Sequence, residues 1–105
     1  MEYIKPMRYA LETTKQYDKW FGRIKEPQTK IKLLARLSNV ENGNFGDVKQ
    51  LGPSLFELRF FFGAGFRIYY TIKDGKVVLL MAGGDKSSQP KDIEKAKALL
   101  KQMEE

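Results

Sequence analysis

The chain of 105 residues contains neither cysteine nor histidine. Without cysteine there are no disulfides, no thiolate-held zinc and no thiol nucleophile. Without histidine the commonest general base is missing, together with imidazole metal centres and Ser-His-Asp arrangements. Any chemistry must therefore run on Lys, Arg, Tyr, Asp or Glu. No apolar run approaches the roughly 18 residues that a membrane-spanning helix needs. The first residues, Met1-Glu2-Tyr3-Ile4-Lys5, lack the basic and apolar regions of a secretory signal, so a cytoplasmic protein is the expectation. Nor is there an internal repeat, a low-complexity stretch or a linker. The length implies one domain, residues 1–105, with a modest core.

What is present is basic. Nineteen Lys and Arg stand against 13 Asp and Glu, for a net charge of +6. The excess is spread along the chain: residues 1–52 carry 10 basic and 6 acidic groups, and residues 53–105 carry 9 and 7. Such a balance suits a polyanionic partner, nucleic acid or an acidic protein, and equally suits an ordinary soluble basic domain. No cluster has the spacing of a metal site, so neither a metal nor an organic cofactor is indicated.

Periodicity predicts an α+β order. Residues Tyr3 to Leu11 read as a strand, confined to an edge by Pro6. Thr13 or Thr14 can cap a helix with Tyr17, Trp20, Phe21 and Ile24 on one face. Pro27 opens a second helix whose apolar side is read as Ile31, Leu34, Ala35 and Leu37 or Val40. Asn42 to Asp47 is a loop by turn chemistry. Strands follow at Leu55 to Phe62, Phe66 to Lys73 and Lys76 to Ala82, the last two joined by Asp74-Gly75, a strong hairpin signal. Ser88 caps a final helix with Pro90 in its first turn and an apolar stripe of Ile93, Ala96, Leu99, Leu100 and Met103. The prediction is β, α, α, β, β, β, α with an antiparallel meander.

Strand alternation then assigns faces. With Phe62 opposite Phe66, the even positions from Phe56 to Ile72 share an apolar face for the helices to cover. Glu57, Arg59, Phe61, Arg67, Tyr69, Thr71 and Lys73 share the other, which is read as exposed. Guanidinium groups grip phosphate and aromatic rings stack on bases, so this face has the composition of a single-stranded RNA platform. The plain alternative is the solvated side of any antiparallel sheet, with Arg59 paired to Glu57 or Asp85. RNA cleavage without histidine is chemically open, because the attacking 2′-OH already lies beside the scissile phosphate.

Several segments occur in an order and spacing that resemble a known family. They are Trp20-Phe21, Gly43-Asn44-Phe45-Gly46-Asp47-Val48-Lys49, Phe56-Glu57-Leu58-Arg59, Gly63-Ala64-Gly65-Phe66-Arg67-Ile68-Tyr69-Tyr70 and Gly83-Gly84-Asp85-Lys86-Ser87-Ser88-Gln89. Together they resemble the phage-derived, HigB-like branch of the RelE/ParE toxin superfamily, the addiction module killer proteins. The resemblance covers nearly the whole chain. It implies a RelE-like fold and the toxin half of a type II toxin–antitoxin pair. It also implies a cognate antitoxin, commonly a helix-turn-helix protein, and cleavage of mRNA in the ribosomal A site by 2′-OH attack.

By the same resemblance, Arg67 matches the arginine after a Gly-aromatic pair, Arg59 a basic strand position, and Lys86 the basic residue after the last strand. These three are the expected catalytic groups, with Phe61, Tyr69 and Gln89 as RNA contacts. Glu57 stands where RelE itself carries a lysine, and is either a proton acceptor or an ion-pair partner of Arg59. The C-terminal tyrosine of RelE-type toxins has no counterpart, since no Tyr follows Tyr70. Two other outcomes share the fold: a ParE-like inhibitor that poisons DNA gyrase by binding, and a degenerate member that only binds an antitoxin or RNA.

Overall fold

The computed structural model describes residues 8–63, 65–84 and 87–104. Its elements run β1 (Ala10–Thr13), α1 (Lys15–Gly22), α2 (Pro27–Glu41), β2 (Val48–Gln50), β3 (Phe56–Arg59), β4 (Arg67–Lys73), β5 (Lys76–Gly83) and α3 (Gln89–Glu104). The five strands form one sheet in the order β1-β5-β4-β3-β2. Among the described residues β1 runs parallel to β5, and the other pairings are antiparallel.

The local signals act as chemistry requires. Thr14 caps α1, its hydroxyl accepting from the Tyr17 backbone N–H at 3.1 Å. Pro27 sits in the first turn of α2, where its missing N–H costs nothing. Asp74 and Gly75 both take positive φ, as a tight two-residue hairpin demands.

The sheet is covered on both faces. Helices α1 and α2 close one side, where Tyr17, Leu33, Leu37 and Val40 pack on Leu58, Phe60, Ile68, Tyr70, Val77 and Leu79. Helix α3 closes the other, laying Ile93, Ala96, Leu99, Leu100 and Met103 over Leu55, Tyr69, Val78 and Leu80. Each cluster removes apolar surface from water, the dominant favourable term in folding.

Five expectations are corrected. First, the edge strand begins at Ala10: Arg8 and Tyr9 precede it outside any strand, and residues 3–7 lie outside the described residues. Second, α2 turns Leu33, Leu37 and Val40 inward and leaves Ile31 and Leu34 more than half exposed, with Ala35 outside too. Third, Val48–Gln50 pairs with β3 as an additional short strand.

Fourth, Arg59 lies opposite Arg67 rather than Tyr69, because Phe60 N–H closes the loop on the Phe66 carbonyl at 3.0 Å. That is a shift of two residues, so every side chain keeps its expected face. A bulge at Leu80 likewise moves Arg67 to pair with Gly83. Fifth, the face read as exposed is the floor under α3: Glu57, Tyr69 and Thr71 are buried on it.

Candidate functional site

At one end of the β3–β4 pair, α1 and α2 cover one side of the connecting loop, with Trp20 against Phe66 and Lys32 over Phe62. Arg59 closes β3 and Arg67 begins β4, directly opposite each other. The chain between them loops out through Phe60–Phe66, and Gly65 N–H donates to the Phe62 carbonyl at 3.2 Å. Arg59, Arg67, Phe60, Phe61 and Phe66 line a cleft of about 320 Å³. Phe61 is 84% exposed, so nothing in the fold consumes its ring. Two fixed positive charges beside one bare aromatic face can hold an anion and stack a planar group.

The Arg59 side is held from α2. Arg59 donates through Nε and Nη2 to both oxygens of Asp47, at 2.9 and 3.1 Å. This fork raises the Arg59 pKa further, first through the hydrogen bonds and then through the charge of Asp47. Behind them Arg36 donates to three carbonyls: Phe45 at 3.0 Å, Asp47 at 2.9 Å and Arg59 at 2.7 Å. Its guanidinium also lies 4.9 Å from the Phe60 ring centroid. Burial lowers the Arg36 pKa, but guanidinium groups remain charged in proteins. Gly46 makes this staple possible. Its φ is +72°, and a Cβ there would lie 2.9 Å from Arg36 Nε.

The Arg67 side is held from beneath. Arg67 Nη1 donates to the Gly65 carbonyl at 3.1 Å, and its Nε lies 3.7 Å from Glu57 Oε1. Glu57 is fully buried, and its other oxygen accepts from Gln89 Nε2 at 2.8 Å. Gln89 is the first residue of α3. Nearby, Ser88 Oγ donates to buried Asp92 at 2.7 Å. Burial, then the charges of Glu57 and Asp92, push the Tyr69 pKa far above its ordinary value, so that phenol stays neutral.

Of the residues singled out in the sequence, the structure brings Arg59, Arg67 and Phe61 to one cleft. Glu57 and Gln89 stand behind Arg67 instead of on the cleft surface. The Glu57 carboxylate has no exposed surface from which to take a proton from a ligand, and its near cation is Arg67, not Arg59. Tyr69 is likewise buried, so its ring cannot stack on a base while α3 is in place. Lys86 and Asp85 lie outside the described residues.

Arg36 and Asp47 were missed as site residues, because only the folded loop brings them to Arg59. The Gly46-Asp47 pair was a visible trace of them. Among the described residues, no group of three or more acidic side chains is placed to hold a metal, and no helix is long and apolar enough to cross a membrane.

Comparison with known proteins agrees with this architecture. Residues 20–101 match the family described as phage derived protein Gp49-like (DUF891). An uncharacterized protein of Haemophilus influenzae is 40% identical over 97 residues, 92% of this chain and 98% of the relative. Among solved structures, a mutant of the Escherichia coli toxin RelE in the free state superposes with a TM-score of 0.66 at 19% identity, covering 82% of this chain and 93% of that one. A chain of the intact E. coli RelBE toxin–antitoxin complex gives 0.60 at 18% identity, covering 74% of this chain and 98% of that one. The fold is therefore RelE-like, as the sequence motifs imply.

Proposed function

The chain belongs to the family of phage derived Gp49-like proteins, and on that premise we propose that it is the toxin of a type II toxin–antitoxin pair, acting as a ribosome-dependent mRNA endoribonuclease. The observation that carries the reading is the pair Arg59 and Arg67, facing across one cleft beside the bare ring of Phe61. A single-stranded RNA satisfies all three at once: its phosphate takes the guanidinium groups and a splayed base takes the ring.

The chemistry follows from what the residues can do. The 2′ oxygen attacks the neighbouring phosphorus, the bond from phosphorus to the 5′ oxygen breaks, and a cyclic phosphate and a 5′-hydroxyl remain. Negative charge builds on the non-bridging oxygens in the transition state. Arg67 and, once its fork exchanges Asp47 for phosphate, Arg59 neutralise it. Lys86 is assigned to charge and proton balance at the leaving oxygen. The 2′-OH proton passes to solvent water, because the Glu57 carboxylate is buried.

An antitoxin partner belongs to the same reading. RelE, the fold neighbour, occurs in an intact complex with its antitoxin. This chain, at net charge +6, suits an acidic antitoxin segment, as in a helix-turn-helix partner. Its working place is the cytoplasm, with the ribosome.

The test is expression of the chain alone, with cellular mRNA mapped for new 5′ ends. Growth arrest with cuts confined to translated frames supports the proposal. Arrest with intact mRNA and DNA damage would move the assignment to gyrase inhibition, and no arrest would leave an inactive antitoxin or RNA binder.

A further inference from the structure

We infer that Glu57 is the positioning residue for Arg67, and that Gln89 fixes Glu57 from the first turn of α3. Neither side chain touches RNA on this account. The inference rests on the reading of the cleft as an anion site and says how its inner arginine is aimed.

Three observations converge. Glu57 is fully buried, although a carboxylate is among the costliest groups to bury. A buried carboxylate persists only when it is paired and hydrogen-bonded, and its nearest cation among the described residues is Arg67, at 3.7 Å. Its second oxygen is held by Gln89 at 2.8 Å, which fixes the carboxylate against rotation.

The geometry also separates the two arginines. The Arg67 side chain is 15% exposed and Glu57 0%, against 39% and 32% for Arg59 and Asp47. Solvent screens the outer pair and reaches the inner pair little. The inner pair is therefore the less screened of the two, and Glu57 acts on Arg67 through a charge that solvent does not dilute. At 3.7 Å it is an ion pair without a formed hydrogen bond, and contacts of this kind in ligand-free sites commonly tighten when the ligand arrives. The path from α3 to the cleft is thus Gln89, Glu57, Arg67.

The alternative role for Glu57, proton acceptor, makes an opposite demand. It needs the carboxylate to reach the 2′-OH, whereas this one lies behind Arg67. A positioning role needs only the charge and the brace.

Two measurements on the full purified chain decide the matter. The first is the side-chain N–H resonance of Arg67 Nε, identified by its loss in Arg67→Lys. It should be sharp and slow to exchange in the native protein, and broadened or rapidly exchanging in both Glu57→Gln and Gln89→Ala. The second is binding of a short fluorescent single-stranded RNA. Glu57→Gln should weaken it by about tenfold, and the same change made in Arg67→Ala should add no further loss.

An unchanged Arg67 resonance in Glu57→Gln would overturn the inference whatever the RNA does, and so, where Arg67→Ala weakens RNA binding, would binding by Glu57→Gln equal to or tighter than native. Additive losses in the double variant would overturn it too. If instead the resonance collapses while even Arg67→Ala binds RNA normally, positioning stands and the RNA reading of the cleft falls. Should Glu57→Gln fail to fold, half-buried Gln89→Ala carries both measurements.

Discussion

Arg59 and Arg67 are cross-strand partners on β3 and β4, yet each is tied to a different carboxylate: Arg59 to half-exposed Asp47, Arg67 to buried Glu57. Two like charges directly opposite on a sheet repel. The fold tolerates them here because each has its own counter-ion, and a polyanion bridging the two would relieve the repulsion further. The asymmetry matters for binding. The outer arginine trades one partner for another, while the inner one keeps its orientation.

Asp47 occupies the two Arg59 nitrogens that a phosphate would take bidentately. Asp47→Asn should therefore raise affinity for single-stranded RNA severalfold and steepen its salt dependence by about one phosphate contact. Stability should barely change, since the pair is solvent-exposed. Fluorescence titrations at several salt concentrations check both. Weaker binding would mean that Asp47 aims Arg59 instead of competing for it.

Arg36 is the staple of the outer half of the cleft. Arg36→Leu removes the donor from three carbonyls, those of Phe45, Asp47 and Arg59, and should cost about 2–4 kcal/mol in denaturant unfolding. Gly46→Ala forces a side chain into positive φ and against the same guanidinium, and should cost about 1–3 kcal/mol. The two losses should be less than additive, because the clash disappears with Arg36.

Much of this was legible in the sequence, and the failures share a cause. The Thr14 cap, the Asp74-Gly75 hairpin and the α3 stripe are local signals and appear where they were expected. Strand parity survived a register shift of two residues, so Arg59 and Arg67 kept their common face, and Phe61 reaches the same cleft from the loop. Alternation sorts side chains between faces but does not say what covers a face. The polar residues Glu57, Tyr69 and Thr71 looked solvated because their cover, α3, comes 18 or more residues later. Helix α2 offered two apolar stripes, and tertiary packing with Arg36 chose the one through Leu33. Asp47 and Arg36 meet Arg59 only across long separations, which no local pattern encodes.

Phe61 is the most exposed large hydrophobic side chain among the described residues, with 84% of its surface open to solvent. Phe61→Ala should leave the unfolding free energy within about 0.5 kcal/mol of native. If the ring stacks on a base, the same change should weaken RNA binding by about 1–3 kcal/mol. Equal affinity would remove Phe61 from the site while leaving the arginines in it.

The buried tyrosines set an alkaline limit. Burial is the main cause that raises Tyr17 and Tyr70 from 10.0 to about 12. Below pH 10 both are protonated whether the chain is folded or not, and their contribution is fully present. Between pH 10 and 12 the unfolded chain sheds protons that the folded chain retains, so stability should fall through that window. The Tyr17 hydroxyl is buried with no hydrogen-bond partner among the described residues. Tyr17→Phe should therefore be no less stable at neutral pH and should lose less stability on alkaline titration, as thermal melts across the range would show.

The most direct test of the central claim is biochemical. Purified chain is added to ribosomes stalled on a defined mRNA, and the message is mapped by primer extension. The expected result is a single cut in the A-site codon, a 5′-hydroxyl on the downstream fragment, no cut without ribosomes, and loss of cutting with folded Arg67→Ala. An intact message on ribosomes exposed to the native, folded chain would contradict it.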